Sequence, residues 1–293
     1  MLGVLLMVVA AFLNAAASVL QRRAAKEEPE SAGFSWQMMW DLARRPVWFL
    51  GICTMIFGFL LHAVSISVSR ISLVQPLLVT ELPFTLLLAS WVFRAPLPRA
   101  VLWAILLQSA GLALFVGTLS PTGGNPSAVS AGTWALGIAI TAAIIAALVV
   151  GGYRSRLEHR AAMLGVATGV TFGLNSSLIA GVGAAVERGA PLLTTWQTYG
   201  VAVLAPISFF LLQNSLQAGN LAASQPGFTL MNPLTSVVWG LVVFGEQSRQ
   251  GVFLIGVVAG AVLIAIGTVL LARSPLLDPE ATQRQRYGST PPG

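Results

Sequence analysis

Charged side chains are scarce in this sequence, in which only 9% of the 293 residues are Asp, Glu, Lys or Arg. Soluble globular domains have about 25%, so the composition argues against that class. Hydrophobic residues make up 56% of the chain, and the mean hydropathy is +0.80. This balance predicts an integral membrane protein, with the lipid bilayer as its surroundings.

Cysteine and lysine are nearly absent too. The single cysteine, Cys53, lies in an apolar run, so the sequence offers no disulfide framework and no cysteine-based metal cluster. No nucleophile–base pair or phosphate-binding loop is recognisable, so we expect no enzyme activity and no cofactor. The one lysine, Lys26, among 16 basic residues is typical of a GC-rich bacterial genome, which predicts a bacterial inner membrane as the location.

Long apolar segments recur along the whole chain. A helix needs about 20 apolar residues to cross the hydrocarbon core of a bilayer. The sequence predicts an all-α protein with nine such helices: Leu2–Leu20, Val47–Ser69, Ser72–Phe93, Ala100–Leu119, Ala131–Gly151, Ala161–Val186, Leu192–Leu212, Leu221–Phe244 and Gly251–Ala272.

The first apolar segment could also be a signal peptide. Signal peptides carry positive charge before the apolar stretch, whereas here Arg22 and Arg23 follow it, which favours a retained helix. Three small residues from Ala15 to Ala17 keep cleavage as the alternative. We expect the aromatic stretch within residues 21–46 to lie flat in the membrane interface, and the polar residues 274–293 to form a disordered cytoplasmic tail.

The basic residues between the helices predict the orientation. With the N-terminus outside and the C-terminus inside, thirteen of them fall inside and three outside. The three are Arg70, Arg188 and Arg249. This bias is the one that the positive-inside rule requires. We therefore interpret the net charge of +6 as a determinant of topology, and we expect no binding of nucleic acid.

The chain contains a weak copy of itself. An offset of 150 residues aligns Gln75-Pro76 with Gln225-Pro226, Pro83 with Pro233, and Gly117-Thr118 with Gly267-Thr268. The predicted units are residues 1–120 (helices 1–4) and 160–273 (helices 6–9), with a linker helix at 131–151. An odd number of crossings between the copies inverts the second one, as in many secondary transporters. The alternative is a chance match between apolar helices.

Glu81 lies inside the third predicted helix, with no basic residue between Arg70 and Arg94. A carboxylate near the bilayer centre costs about 2.5–3.5 kcal/mol on insertion scales, and such residues usually face a cavity or the bundle interior. We expect Glu81 to take up and release a proton or cation. The alternative is a permanent pairing with Asn14 or His62. In the second copy Met231 stands opposite Glu81, followed by Asn232.

Polar residues at helical spacing predict a shared cavity. Each of four helices carries one polar face, namely Asn14, Ser18 and Gln21; His62, Ser65 and Ser69; Thr168, Thr171 and Asn175; and Gln225, Thr229 and Asn232. Together with Glu81 and Gln75 they would form a site for a substrate or coupling ion, with any metal undetermined. The alternative is hydrogen bonding between helices, worth about 0.6 kcal/mol per bond.

Two prolines are predicted to kink helices. Pro83 and Pro233 would free the carbonyls of Val79 and Thr229, which a cavity or a packed neighbour must then satisfy. Small residues at every fourth position from Gly165 to Gly181 predict close helix packing, within one chain or in a homodimer. Glu246, at the end of the eighth helix, is expected to be solvated.

The plan of four, one and four helices resembles the drug/metabolite transporter superfamily. The Phe244-Gly245-Glu246 turn is similar to the end of an EamA-type repeat. Within the superfamily, two motifs look most like the NIPA-type magnesium transporters, namely residues 45–51, Arg-Pro-Val-Trp-Phe-Leu-Gly, and residues 72–77, Ser-Leu-Val-Gln-Pro-Leu. The resemblance implies a transporter, although Phe59 stands where eukaryotic members carry an acid.

These patterns leave the substrate open between a small metabolite or drug and Mg²⁺. Magnesium prefers several hard oxygen ligands and bound waters, whereas the predicted helices offer one carboxylate and several amides. Two other classes of function remain as alternatives. A non-transporting membrane scaffold would need no cavity, and a polytopic enzyme would need a catalytic pair.

Overall fold

The computed structural model describes residues 2–26, 46–94, 96–155, 157–217 and 221–272. Within these ranges the chain forms nine helices: α1 Leu2–Lys26, α2 Pro46–Ser67, α3 Ile71–Phe93, α4 Arg99–Leu119, α5 Ala131–Arg154, α6 Leu157–Glu187, α7 Trp196–Gln217, α8 Leu221–Val238 and α9 Val252–Ala272. Most of the predicted interfacial stretch and the whole predicted tail lie outside the described residues.

Eight of the helices in the described part of the chain are long and apolar enough to cross a membrane. The prediction of an all-α membrane protein is confirmed at this level. Helix α7 differs, because its apolar part ends at Leu212 and two polar residues follow. Its predicted start is also wrong, since Leu192–Thr194 forms a separate 3₁₀ turn directly after Pro191.

Helix α3 is not one regular helix. It consists of an α-helical turn Ile71–Val74, a 3₁₀ segment Gln75–Thr80 and an α-helix Glu81–Phe93. Pro83 therefore lies in the first turn of the α-helix Glu81–Phe93 and not in a helix interior as predicted. The irregular segment lies directly before Glu81, whereas Pro233 lies inside α8.

Glycine contacts reveal the relative directions of the helices. Gly3 of α1 lies against Ser69, while Gly51 of α2 lies against Gln21, so α1 and α2 are antiparallel. Helices α4 and α9 are antiparallel by the same criterion, from the contacts of Thr118 with Gly256 and of Gln108 with Gly267.

The small residues of α6 pack against α8 in the same chain. Gly169 lies against Met231 and Gly173 against Thr235, so these two helices run parallel. The sequence left open whether these small residues pack within one chain or between the chains of a homodimer. The contacts of Gly169 and Gly173 are within one chain. Glycine at these positions lets the backbones approach closely.

A hydrophobic core fills one end of the bundle. We call this end, where α1 begins, the N-face. Trp134 is its central ring, lying 5.4 Å from Trp239, 5.4 Å from Phe244 and 5.2 Å from Trp196 between ring centroids. A two-residue strand pair lies at the same end, with Thr122–Gly123 (β1) antiparallel to Glu246–Gln247 (β2).

Candidate functional site

A cavity of about 470 Å³ lies between α1, α3, α6, α7 and α8. Its polar lining comes from three helices, and two aromatic rings and several aliphatic side chains complete it. The polar and aromatic residues of the lining are Ser18, Glu81, Thr85, Phe172, Phe228, Thr229 and Asn232. Its volume is within the range of about 300–1,000 Å³ that is usual for small-molecule sites.

The cavity lies in the half of the bundle away from the N-face. Two of its lining residues, Ala89 and Leu212, lie within two turns of Phe93 and Gln217, where α3 and α7 end. No residue of the aromatic cluster around Trp134 lines it. We call the half with the aromatic core the filled half, and the opposite half, in which the cavity lies beside a smaller core cluster around Leu86 and Val101, the hollow half.

The Glu81 side chain is half-buried and lines this cavity. The Asn14 side chain of α1 donates a hydrogen bond to its carboxylate. Asn14 is thus one of the two partners that the sequence suggested for Glu81. Because an amide donor stabilises a carboxylate without neutralising its charge, the site can still attract a cation or accept a proton.

The other suggested partner, His62, lies elsewhere. Its Nε2 atom is 3.3 Å from the Nε2 atom of Gln75, at the contact between α2 and α3. Gln75 is fully buried, and its Oε1 atom has no hydrogen-bond partner in the described structure. Neither residue lines the cavity. The structure therefore pairs these two site candidates with each other and not with Glu81.

The four predicted polar faces divide into two kinds. Those of α1 and α8 reach the cavity through Ser18, Thr229 and Asn232, whereas the side chain of Gln225 lies outside what the structure describes. On α6, the hydroxyls of Thr168 and Thr171 donate at 2.7 Å to carbonyls of their own helix.

The remaining polar residues of α6 and α2 also lie away from the cavity. Asn175 is buried, does not line the cavity, and has an Oδ1 atom without a partner in the described part of the chain. On α2, Ser65 donates to the carbonyl of Gly3 at 2.7 Å. These faces therefore serve packing in this structure.

Gln108 was not recognised from the sequence. It is buried on α4, and its Nε2 atom donates to the carbonyl oxygen of Val79 at 2.6 Å. This is the carbonyl that Pro83 leaves without an N–H partner, so Gln108 holds the 3₁₀ segment beside Glu81. Two features of the sequence could have indicated this role. Gln108 is a lone glutamine in the apolar α4 segment, and Pro83 predicts a Val79 carbonyl that needs a donor.

Glu246 is not solvated, and the expectation that it would be is wrong. Its side chain is 7% exposed, and it accepts hydrogen bonds from the backbone N–H groups of Ile71 at 3.0 Å and Ser72 at 3.3 Å and from the Ser72 hydroxyl. Burial raises the pKa of the Glu246 carboxyl, while the bonds from Ser72 and Ile71 and the charge of Arg70 oppose that rise. The fold brings it to α3, whose first N–H groups lack helical partners.

Metal-ligating side chains do not cluster within the ranges that the structure describes. No group of three or more His, Cys, Asp or Glu residues there could hold a metal ion. Glu81, Ser18, Thr85, Thr229 and Asn232 are the polar residues that line the cavity among the residues that the structure describes.

Comparison with known proteins identifies one relative. An uncharacterised protein of Corynebacterium glutamicum is 28% identical to the chain over 256 residues, which cover 84% of this chain and 86% of the relative. No protein-family model and no solved structure matches the chain.

Proposed function

We propose that the protein is a secondary transporter of the drug/metabolite type that moves a small solute across a bacterial inner membrane by alternating access. The observation that carries this proposal is the cavity around Glu81, where polar side chains of α1, α3 and α8 converge inside an apolar bundle. An unneutralised carboxylate in such a place is a functional group by default.

The helix arrangement supports two inverted repeats. Glu246 follows the turn at the end of α8 and meets the first residues of α3, so these two helices run in opposite directions, as inverted copies require. Helix α1 contacts α3 through Phe12 and Phe84, whose ring centroids are 5.6 Å apart, and in the second copy α6 contacts α8 where Gly173 lies against Thr235. The proposal includes nine spans, with the N-terminus outside and the C-terminus inside.

The cavity lining favours a cationic solute with an apolar body. The Glu81 carboxylate accepts a hydrogen bond from Asn14, and the other polar side chains of the lining, those of Ser18, Thr85, Thr229 and Asn232, are neutral. Phe172 and Phe228 add aromatic surface to the lining, which can contact a cation or an apolar group. Magnesium, which usually binds through one or two carboxylates and several waters, would find one carboxylate among the described lining residues.

Glu81 would couple the solute to protons. A single carboxylate can hold a proton or a cationic solute, but not both, so loading one releases the other. Each half-cycle would therefore carry the proton and the solute in opposite directions, without any further titrating group.

Glu81→Gln tests this role, because it keeps the shape of the side chain and removes its charge. In proteoliposomes with an imposed proton gradient, we expect the variant to lose uptake of a lipophilic primary ammonium compound by about 100-fold, as for removal of a buried charged hydrogen-bond partner. Mg²⁺ and a neutral compound of the same shape are the comparison solutes. Glu187→Gln, which removes an exposed carboxylate at the end of α6, should transport normally.

Two outcomes would contradict the proposal. Normal transport by Glu81→Gln with an unchanged dependence on pH would make Glu81 structural. If the wild-type protein neither binds nor moves any of the three solutes, the non-transporting scaffold becomes the better reading. Mg²⁺ uptake that depends on Glu81 would replace the organic cation by the NIPA-like function.

A further inference from the structure

The buried contact of Glu246 joins the two halves of the chain at the N-face. Ile71 and Ser72, which donate to the carboxylate, begin α3 in the first half, whereas Glu246 lies between α8 and α9 in the second half. Gly240, in the π-helical segment Trp239–Val243 that directly follows α8, also packs closely against Ile71 and Glu246. The contact therefore fixes the N-face end of α3, the helix that carries Glu81, against the opposite repeat.

We propose that the Glu246–Ser72 contact is the gate that closes the cavity toward the N-face, and that its separation opens this face during transport. The proposal rests on the transport function proposed above. It assigns to Glu246 and Ser72 a role in the cycle distinct from that of Glu81, since they touch no part of the cavity.

The chemistry of the contact suits a reversible closure. The partners of the carboxylate are two backbone N–H groups and one hydroxyl, and the guanidinium of Arg70 donates from Nε to the carbonyl of Gly123 at 3.0 Å. All of these groups can exchange their partners for water when the N-face opens. Trp239 and Phe244, which are close in sequence to Glu246, belong to the same hydrophobic core cluster as Ile71.

The opposite face has no equivalent contact in the sequence. The offset of 150 residues that aligns the two copies places Pro96 opposite Glu246 and Ala222 opposite Ser72. Neither residue can supply a carboxylate or a hydroxyl. The Glu246–Ser72 contact lies in the filled half. The aligned positions Pro96 and Ala222 cannot form the same contact at the hollow half.

Cysteine accessibility tests the gate without requiring a transported solute. Cys53, which is exposed, is first replaced by serine, and Thr229→Cys then places one thiol in the cavity. A membrane-impermeant maleimide is added to either side of oriented proteoliposomes, and labelling of Thr122→Cys identifies the N-face side. We expect Glu246→Ala to raise the labelling rate of the cavity thiol from the N-face by about tenfold, as for the loss of a charged hydrogen bond.

Controls separate gating from general damage. Glu187→Ala removes an exposed carboxylate at the same face and should leave the labelling rate unchanged. Ser72→Ala retains the two backbone donors and should raise the labelling rate of the cavity thiol by a smaller factor. If Glu246→Ala does not fold, Ser72→Ala serves as the test of the gate. A folded Glu246→Ala protein, or Ser72→Ala protein in its place, that labels like the wild type would overturn the gate. Absence of transport would overturn only the proposed function.

Discussion

The two halves of the helix bundle differ in what lies between the helices. At the N-face, Trp134, Trp239 and Phe244 interlock, and the Glu246 carboxylate bonds to the start of α3. Toward the opposite face, α1, α3, α6, α7 and α8 line a cavity of about 470 Å³ with Glu81 in its wall. The bundle thus has an aromatic core at one end and a cavity toward the other.

This difference indicates which part of the molecule would have to change during transport. If the cavity is to open alternately to both sides, the packed half must loosen while the hollow half closes. The 3₁₀ segment Gln75–Thr80 lies on α3 between the two halves, and 3₁₀ stretches within helices often mark hinges.

Trp239→Ala should have the largest effect on stability. The ring is 2% exposed, contacts Trp134 and Phe244, and donates from Nε1 to the Thr141 hydroxyl at 3.2 Å. Loss of this ring should lower the free energy of unfolding by about 3–5 kcal/mol. Thermal unfolding in detergent measures it, with Trp103→Ala, whose side chain is 72% exposed, as the control. Equal losses in both variants would mean that the N-face half is not specifically packed.

Gln108→Leu should have an intermediate effect at the boundary between the halves. It removes the donor to the Val79 carbonyl and leaves that buried acceptor unpaired, which costs about 1–3 kcal/mol. Because Val79 directly precedes the Thr80–Glu81 junction, we also expect weaker solute binding. Gln250→Leu, at an exposed position, is the matched control. Unchanged stability and unchanged solute affinity in Gln108→Leu would show that the bond does not hold the segment.

Acidity should have the smallest effect, by favouring the closed N-face. Burial raises the pKa of Glu246 in the closed state above the ordinary carboxyl value of 4.5, so the closed state binds a proton more readily than an open, solvated one. Closure is therefore most favoured below the ordinary pKa and weakens as pH rises through the raised value. Arg70 is the charged group that acts on Glu246, and it opposes this rise in pKa.

The labelling rate of the cavity thiol from the N-face measures this dependence. We expect the rate, corrected for thiolate formation with a lipid-exposed reference thiol, to rise less than tenfold between mildly acidic and neutral pH. Glu246→Gln should remove the dependence, because the amide does not titrate. A dependence of the opposite sign, or one that persists in Glu246→Gln, would show that another group controls closure.

Local sequence pattern was sufficient for the class of the protein and for most of the helices. The apolar runs identified membrane-length helices because each must bury its backbone polar groups within itself in lipid. The limits of this reasoning appear at α3 and α7. The apolar run of α3 is continuous, so it gave no indication of the 3₁₀ segment before Glu81. The helix predicted from Leu192 begins at Trp196.

The sequence by itself therefore determined the membrane class, the place of Glu81 within an apolar helix and the polar faces of α1 and α8. Only the tertiary structure decided that Asn14 bonds Glu81, that His62 meets Gln75, and that Glu246 reaches Ser72 across 174 positions of sequence. Helical periodicity reports which residues share a face, but it carries no information on which helix lies opposite. Partner choice is fixed by close packing between helices that are distant in sequence.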